Sequence, residues 1–75
     1  MPKTHDYRTL ATIGRRLAAQ RGMLRMSQAD VASRAKVTGQ QLSKYELGLS
    51  DPPLSTLLRL MRVLQVAPTE LLDRL

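Results

Sequence analysis

Two helix-start signals stand eleven residues apart, and that distance limits what the chain can build around them. Ser27 with Asp30, and Thr38 with Gln41, each place a short oxygen-bearing side chain at an N-cap with a residue three positions on that can complete the cap. The first pair predicts a helix over Gln28–Ala35. The second predicts a helix that ends at Gly48, because glycine takes the left-handed conformation that closes helices. Only Lys36 and Val37 lie between Ala35 and Thr38, so two short helices meet across a turn of about three residues.

At about 100° per residue, the second helix divides into two sides. Leu42, Tyr45 and Glu46 share one of them. Gln40 and Lys44 point the opposite way, with Gln41 and Ser43 flanking them. One side packs and the other is left to meet something. The outer side carries amides, a hydroxyl and an amine but no carboxylate. Glutamine bonds bidentately to adenine, lysine donates to guanine, and a serine hydroxyl serves a base or a phosphate. A merely solvated face has the same composition, so the rest of the chain must decide.

Before these helices, Asp6 is an N-cap candidate and Leu10, Ile13 and Leu17 recur at helical spacing through Arg21. Arg8, Arg15 and Arg16 lie off that apolar stripe, whereas Arg21 lies on it and needs a partner. Val31, Ala32 and Ala35 form the inner side of the next helix, and its alanines admit a close neighbour. After Gly48, two prolines make Leu49 to Pro53 a loop. A fourth helix follows over Leu54–Gln65, with Leu57, Leu60, Met61 and Leu64 on one side, widened by Leu54, Leu58 and Val63. Pro68 suits a first helical position, and Leu71, Leu72 and Leu75 make a short fifth helix. The reading is an all-α, compact five-helix bundle: a flexible arm over residues 1–5 and a single domain over 6–75.

A chain of 75 residues buries only about 60% of its unfolded surface, so the core is small. With no cysteine it stands on apolar packing, without disulfides or thiolate metal sites. Twelve Lys and Arg against six Asp and Glu give a net charge of +6. The distribution says more: residues 1–44 hold nine bases and two acids, or +7, and the remainder holds three bases and four acids, or −1. The half that carries the two capped helices therefore attracts a polyanion. No apolar run nears the roughly 20 residues of a membrane span and no signal-peptide core precedes Tyr7, so a cytoplasmic location without a membrane partner is expected. His5 stands alone, the carboxylates are scattered, and neither a catalytic constellation nor a metal or cofactor site is expected. Two tyrosines, one of them on the packing side, offer little for stacking unpaired RNA bases. Double-stranded DNA is the polyanion that fits.

Taken together, Leu17, Arg21, Met26 to Ala32, Val37-Thr38, Leu42 to Gly48, Leu57, Leu64 and Val66 resemble the Xre/Cro and phage-repressor helix-turn-helix family over about residues 10 to 72. The resemblance implies a lambda-repressor-like DNA-binding domain. Its usual activity is sequence-specific operator binding as a homodimer that represses transcription, often of its own operon. It implies that Gln40 and Lys44 read bases, with Gln41 and Ser43 used for bases or backbone. It also implies that Gln28 contacts a phosphate and braces the recognition helix, and that Arg21 and Glu46 bridge the first helix to it.

Three positions depart from the family pattern. Gly39 has no side chain where many members read a base. Arg25 and Lys36 stand where glycine is common, and at positive φ each would cost about 1 kcal/mol, with a phosphate contact as one return. The loop at Leu49 to Pro53 lacks the basic residue many relatives carry. Phosphate anchoring then falls to Arg15, Arg16, Arg25 and Lys36, with Thr38 at the helix start. The excess apolar surface at Leu58, Val63, Leu71, Leu72 and Leu75 supports dimerisation, since two recognition helices must be held about 34 Å apart to read a palindrome. An autorepressing antitoxin with a cognate toxin partner, and a helical protein-interaction module without DNA binding, are the alternatives.

Overall fold

A computed structural model of the chain describes residues 7–75, and all regular structure among them is helical: α1 (Tyr7–Met23), α2 (Gln28–Ala35), α3 (Gly39–Glu46), α4 (Leu54–Leu64) and α5 (Pro68–Leu71). The Asp6 cap and the N-terminal arm lie outside the described residues. The five-helix, all-α reading is correct. No helix among the described residues is long and apolar enough to cross a membrane.

Three of the junctions share one construction. Arg25, Lys36 and Gln65 each follow a helix in the left-handed conformation, with φ of 56°, 60° and 55°. The next residue, Met26, Val37 or Val66, donates its N–H back to Arg21, Ala32 or Met61, and the left-handed residue donates to Gly22, Ser33 or Arg62. This pair of bonds satisfies carbonyls that the helix end leaves orphaned. The apolar residue then packs on the core, and the residue after it, Ser27, Thr38 or Ala67, stands at the N-cap of the next helix, where Ser27 and Thr38 accept a side-chain bond and Ala67 N–H donates to Glu70 Oε1. α3 closes in the same way at Gly48 (φ 72°), where Gly48 N–H donates to Tyr45 and Leu49 N–H to Lys44.

Leu17 from α1, Val31 and Ala35 from α2, Leu42 from α3, Leu60 and Leu64 from α4, and Leu71 from α5 have essentially no exposed surface. Burying a leucine or valine side chain is worth about 1.5–3 kcal/mol. Long polar side chains then tie the helix C-termini to their neighbours. Arg59 Nε donates to the Ala35 carbonyl of α2 (2.8 Å), and Gln20 Nε2 donates to the Leu64 carbonyl of α4 (2.9 Å). Arg16 donates to the Leu71 and Asp73 carbonyls at the end of α5 (2.8 and 2.7 Å). Such carbonyls carry the partial negative end of the helix dipole, so cations suit them.

Several expectations need correction. α1 runs two residues past Arg21, because nothing at Gly22 obstructs a further turn and the closing bonds form at Arg25. Gln65 lies just beyond α4 as its left-handed terminator. α5 stops at Leu71, so Leu75 lies after the helix. Leu71 itself belongs to the core, where α5 folds back onto α1, and is not an exposed interface residue. Arg16 Nη1 donates to carbonyls at the end of α5, a contact the sequence does not announce.

Candidate nucleic-acid interface

The start of α3 is fixed by its own first turn. Gln41 N–H donates to Thr38 Oγ1 (3.0 Å), and Thr38 N–H donates to Gln41 Oε1 (2.9 Å), which satisfies two donors that the helix start would otherwise leave unpaired. The Thr38 hydroxyl hydrogen and the Gln41 NH2 group stay available, because each side chain uses only its acceptor oxygen here.

The end of α3 is fixed by backbone. A Cβ on Gly14 would lie 2.4 Å from the Tyr45 carbonyl oxygen and 2.5 Å from that of Glu46, so α1 and α3 touch main chain to main chain. One turn earlier on α1, a Cβ on Gly48 would lie 2.7 Å from Ala11 Cα. These two glycines let α3 sit flush on α1. Gly14 is absent from the sequence reading; its signal was a lone glycine inside an otherwise helical pattern, which often marks a close approach.

Between these ends, Glu46 joins three helices. Arg21 Nε donates to Glu46 Oε2 at 2.7 Å and Arg21 Nη2 to Oε1 at 3.0 Å, the two-pronged geometry that suits guanidinium and carboxylate. Gln28 Nε2, from the first residue of α2, donates to the same Oε1 at 2.8 Å. Arg21 Nη1 also reaches the Met26 carbonyl at 3.1 Å, closing the turn before α2. The Glu46 side chain is 7% exposed and that of Arg21 22%. Hydrogen bonding to Glu46 outweighs desolvation and holds the Arg21 guanidinium charged above its ordinary range. A charge pair this enclosed costs desolvation when it forms and becomes expensive when one partner is removed.

The outer side of α3 contrasts with this. Gln40, Gln41 and Lys44 are exposed and Ser43 is half-buried, while Leu42 and Tyr45 are buried. Apart from the Gln41 cap, none of these outward side chains has a polar partner among the described residues. Arg25 and Lys36 are exposed, and each lies two residues before the N-cap of the next helix, at the approach to α2 and α3 respectively. Arg15 is exposed with a bond to Thr12 Oγ1 at 3.2 Å, on the middle of α1. Gln28 keeps one amide hydrogen beyond its bond to Glu46. Gly39, at the first position of α3, is exposed and has nothing within 4 Å of the site of a Cβ, so the fold itself does not require glycine there.

A helix-turn-helix domain family model matches residues 12–75 of the chain. Among solved structures, the chain is similar to the restriction-modification controller protein C.AhdI from Aeromonas hydrophila. The two are 27% identical with a TM-score of 0.79, over 83% of this chain and 94% of the controller. A comparison with curated proteins found no significant match.

Proposed function

The chain belongs to the helix-turn-helix family of Xre-type DNA-binding transcription regulators, and on that premise we propose that it binds a palindromic operator as a homodimer and represses its own operon. Gln40, Gln41, Ser43 and Lys44 read base edges from α3 in the major groove. Gln28, Arg15, Arg25, Lys36 and Thr38 hold phosphates on either side. The observation that carries this reading is the asymmetry of α3. Its inner side is locked by Gly14, Gly48 and the Arg21–Glu46 pair, while Gln40 and Lys44 project outward without partners among the described residues.

The described residues extend over 38 × 23 × 19 Å, so two copies side by side can separate their α3 helices by one turn of DNA, about 34 Å. Similarity to a restriction-modification controller favours control of neighbouring genes over neutralisation of a toxin.

Selection of bound duplexes from a random pool tests the reading. A two-fold related sequence is expected, with binding that weakens steeply as salt rises through counterion release. Gln40→Ala is expected to lose about 1–3 kcal/mol on the selected site and little on random duplex. Equal losses on both would show that Gln40 does not read bases, and salt-independent binding would remove the DNA reading.

A further inference from the structure

The outward stripe of α3 continues one residue past the helix. Leu47 keeps helical backbone (φ −86°, ψ −3°), and its N–H donates to the Ser43 carbonyl at 3.0 Å, four residues back. It therefore stays in the helical register. At about 100° per residue Leu47 falls about 20° from Gln40, so Gln40, Lys44 and Leu47 form one row along the outer side. Leu47 is 65% exposed, whereas Leu42 on the inner side has no exposed surface. Packing of the fold does not account for a leucine there. Gly48 then turns the chain onto Ala11 of α1 at φ 72°, so Leu47 is the last member of the row. The adjacent Glu46 carboxylate is held inward by Arg21 and Gln28 and places no negative charge beside it.

The major groove offers one apolar group at a base edge, the 5-methyl of thymine. A leucine side chain gains by covering that methyl and gains nothing from water or a phosphate oxygen. Beside the methyl, thymine presents its O4 acceptor, which suits Lys44, a donor without lone pairs that lies about 4.5 Å earlier along the helix axis. Cytosine lacks the methyl and presents an amino donor that neither Lys44 nor Leu47 can accept. We propose that Leu47 recognises a thymine through its 5-methyl group, at the end of the stretch of bases that α3 covers. This rests on the reading that α3 enters the major groove, and it adds a position where apolar burial, in place of hydrogen bonding, discriminates between bases.

Deoxyuridine in place of thymine removes only the methyl, keeping the base pair and O4, and so isolates the contact. The probe is a duplex selected by the parent protein from a random pool, with each thymine replaced in turn and binding followed by fluorescence anisotropy at fixed salt. Burying one methyl group corresponds to about fourfold in affinity. The parent is expected to lose about this factor at one thymine per half-site. Leu47→Ala, with unchanged helical circular dichroism because Leu47 lies outside the core, is expected to lose about fourfold on the thymine duplex and to bind the deoxyuridine form of that position equally well, the signature of two coupled groups. A parent indifferent to every replacement, or a Leu47→Ala variant as sensitive as the parent at every thymine, overturns the methyl contact and leaves base reading by Gln40 standing. Failure of the pool to yield any preferred duplex overturns both.

Discussion

Removing the Glu46 carboxylate is the most informative single perturbation of the scaffold. In Glu46→Ala, Arg21 loses both prongs of its ion pair and Gln28 loses its only hydrogen-bond acceptor among the described residues, while Arg21 keeps its bond to the Met26 carbonyl. Breaking an enclosed pair by deleting one partner costs about 3–5 kcal/mol. The partial exposure of Arg21 and its surviving bond bring the expectation to about 3 kcal/mol. A domain of this length has about 4–11 kcal/mol to lose, so the variant should keep its fold yet melt about 12–24 °C lower.

The assay is urea unfolding followed by circular dichroism, with the m-value checked for constancy so that the loss reports stability rather than a change in compactness. The double variant Arg21→Met with Glu46→Leu fills the same space without a stranded charge and should recover most of the loss. A Glu46→Ala variant that loses less than about 1 kcal/mol, or a double variant no better than the single, would show that the pair does not hold the three helices together.

Three further outcomes follow from the backbone. Lys36→Gly relieves a left-handed side-chain clash of about 1–2 kcal/mol at the cost of a more flexible unfolded chain, so it should raise the melting temperature by about 2–4 °C while weakening duplex binding; unchanged stability would mean the turn is unstrained. Gly14→Ala forces a methyl group against two main-chain carbonyls that cannot rotate away, and should cost about 3 kcal/mol, the upper end for overpacking, measured by the same urea titration. Gly39→Ala meets open space and gains helix propensity, so it should stabilise the unbound protein by up to about 1 kcal/mol; a loss of stability would show that the first turn of α3 needs its glycine.

The helix starts were legible because capping is local chemistry and needs only its own neighbourhood: Thr38 and Gln41 formed both reciprocal bonds, and Ser27 caps α2 by accepting the Asp30 backbone N–H, without a returning bond from the Asp30 side chain. The partner of Arg21 was legible only through the family resemblance, since Glu46 lies 25 residues away and periodicity says nothing about which groups meet. The surroundings of Arg16 and Leu71 were not legible, for one shared reason. Helical periodicity gives the direction of a side chain from its own axis, whereas their environment is made by α5 folding back on α1, a long-range event. Gln65 carries no glycine-like signal, yet the run Gln65-Val66-Ala67 repeats the left-handed, apolar, capping order of Arg25-Met26-Ser27 and Lys36-Val37-Thr38, a pattern visible only once one junction is seen in three dimensions.

The main-chain contact at Gly14 has a consequence for how such a protein diverges. The seat of α3 is made of main-chain atoms, the buried Leu42 and Tyr45, and a carboxylate on its inner side, so the outward side chains take almost no part in holding it. Gln40 and Lys44 can therefore be exchanged with little loss of fold, and if they read bases as proposed, a lineage carrying this scaffold can drift from one target sequence to another in single steps. Gln41 is the exception, because its oxygen also closes the first turn. Retargeting should thus be easiest at two positions of the reading face and slowest at the one between them that answers to both the helix and the ligand.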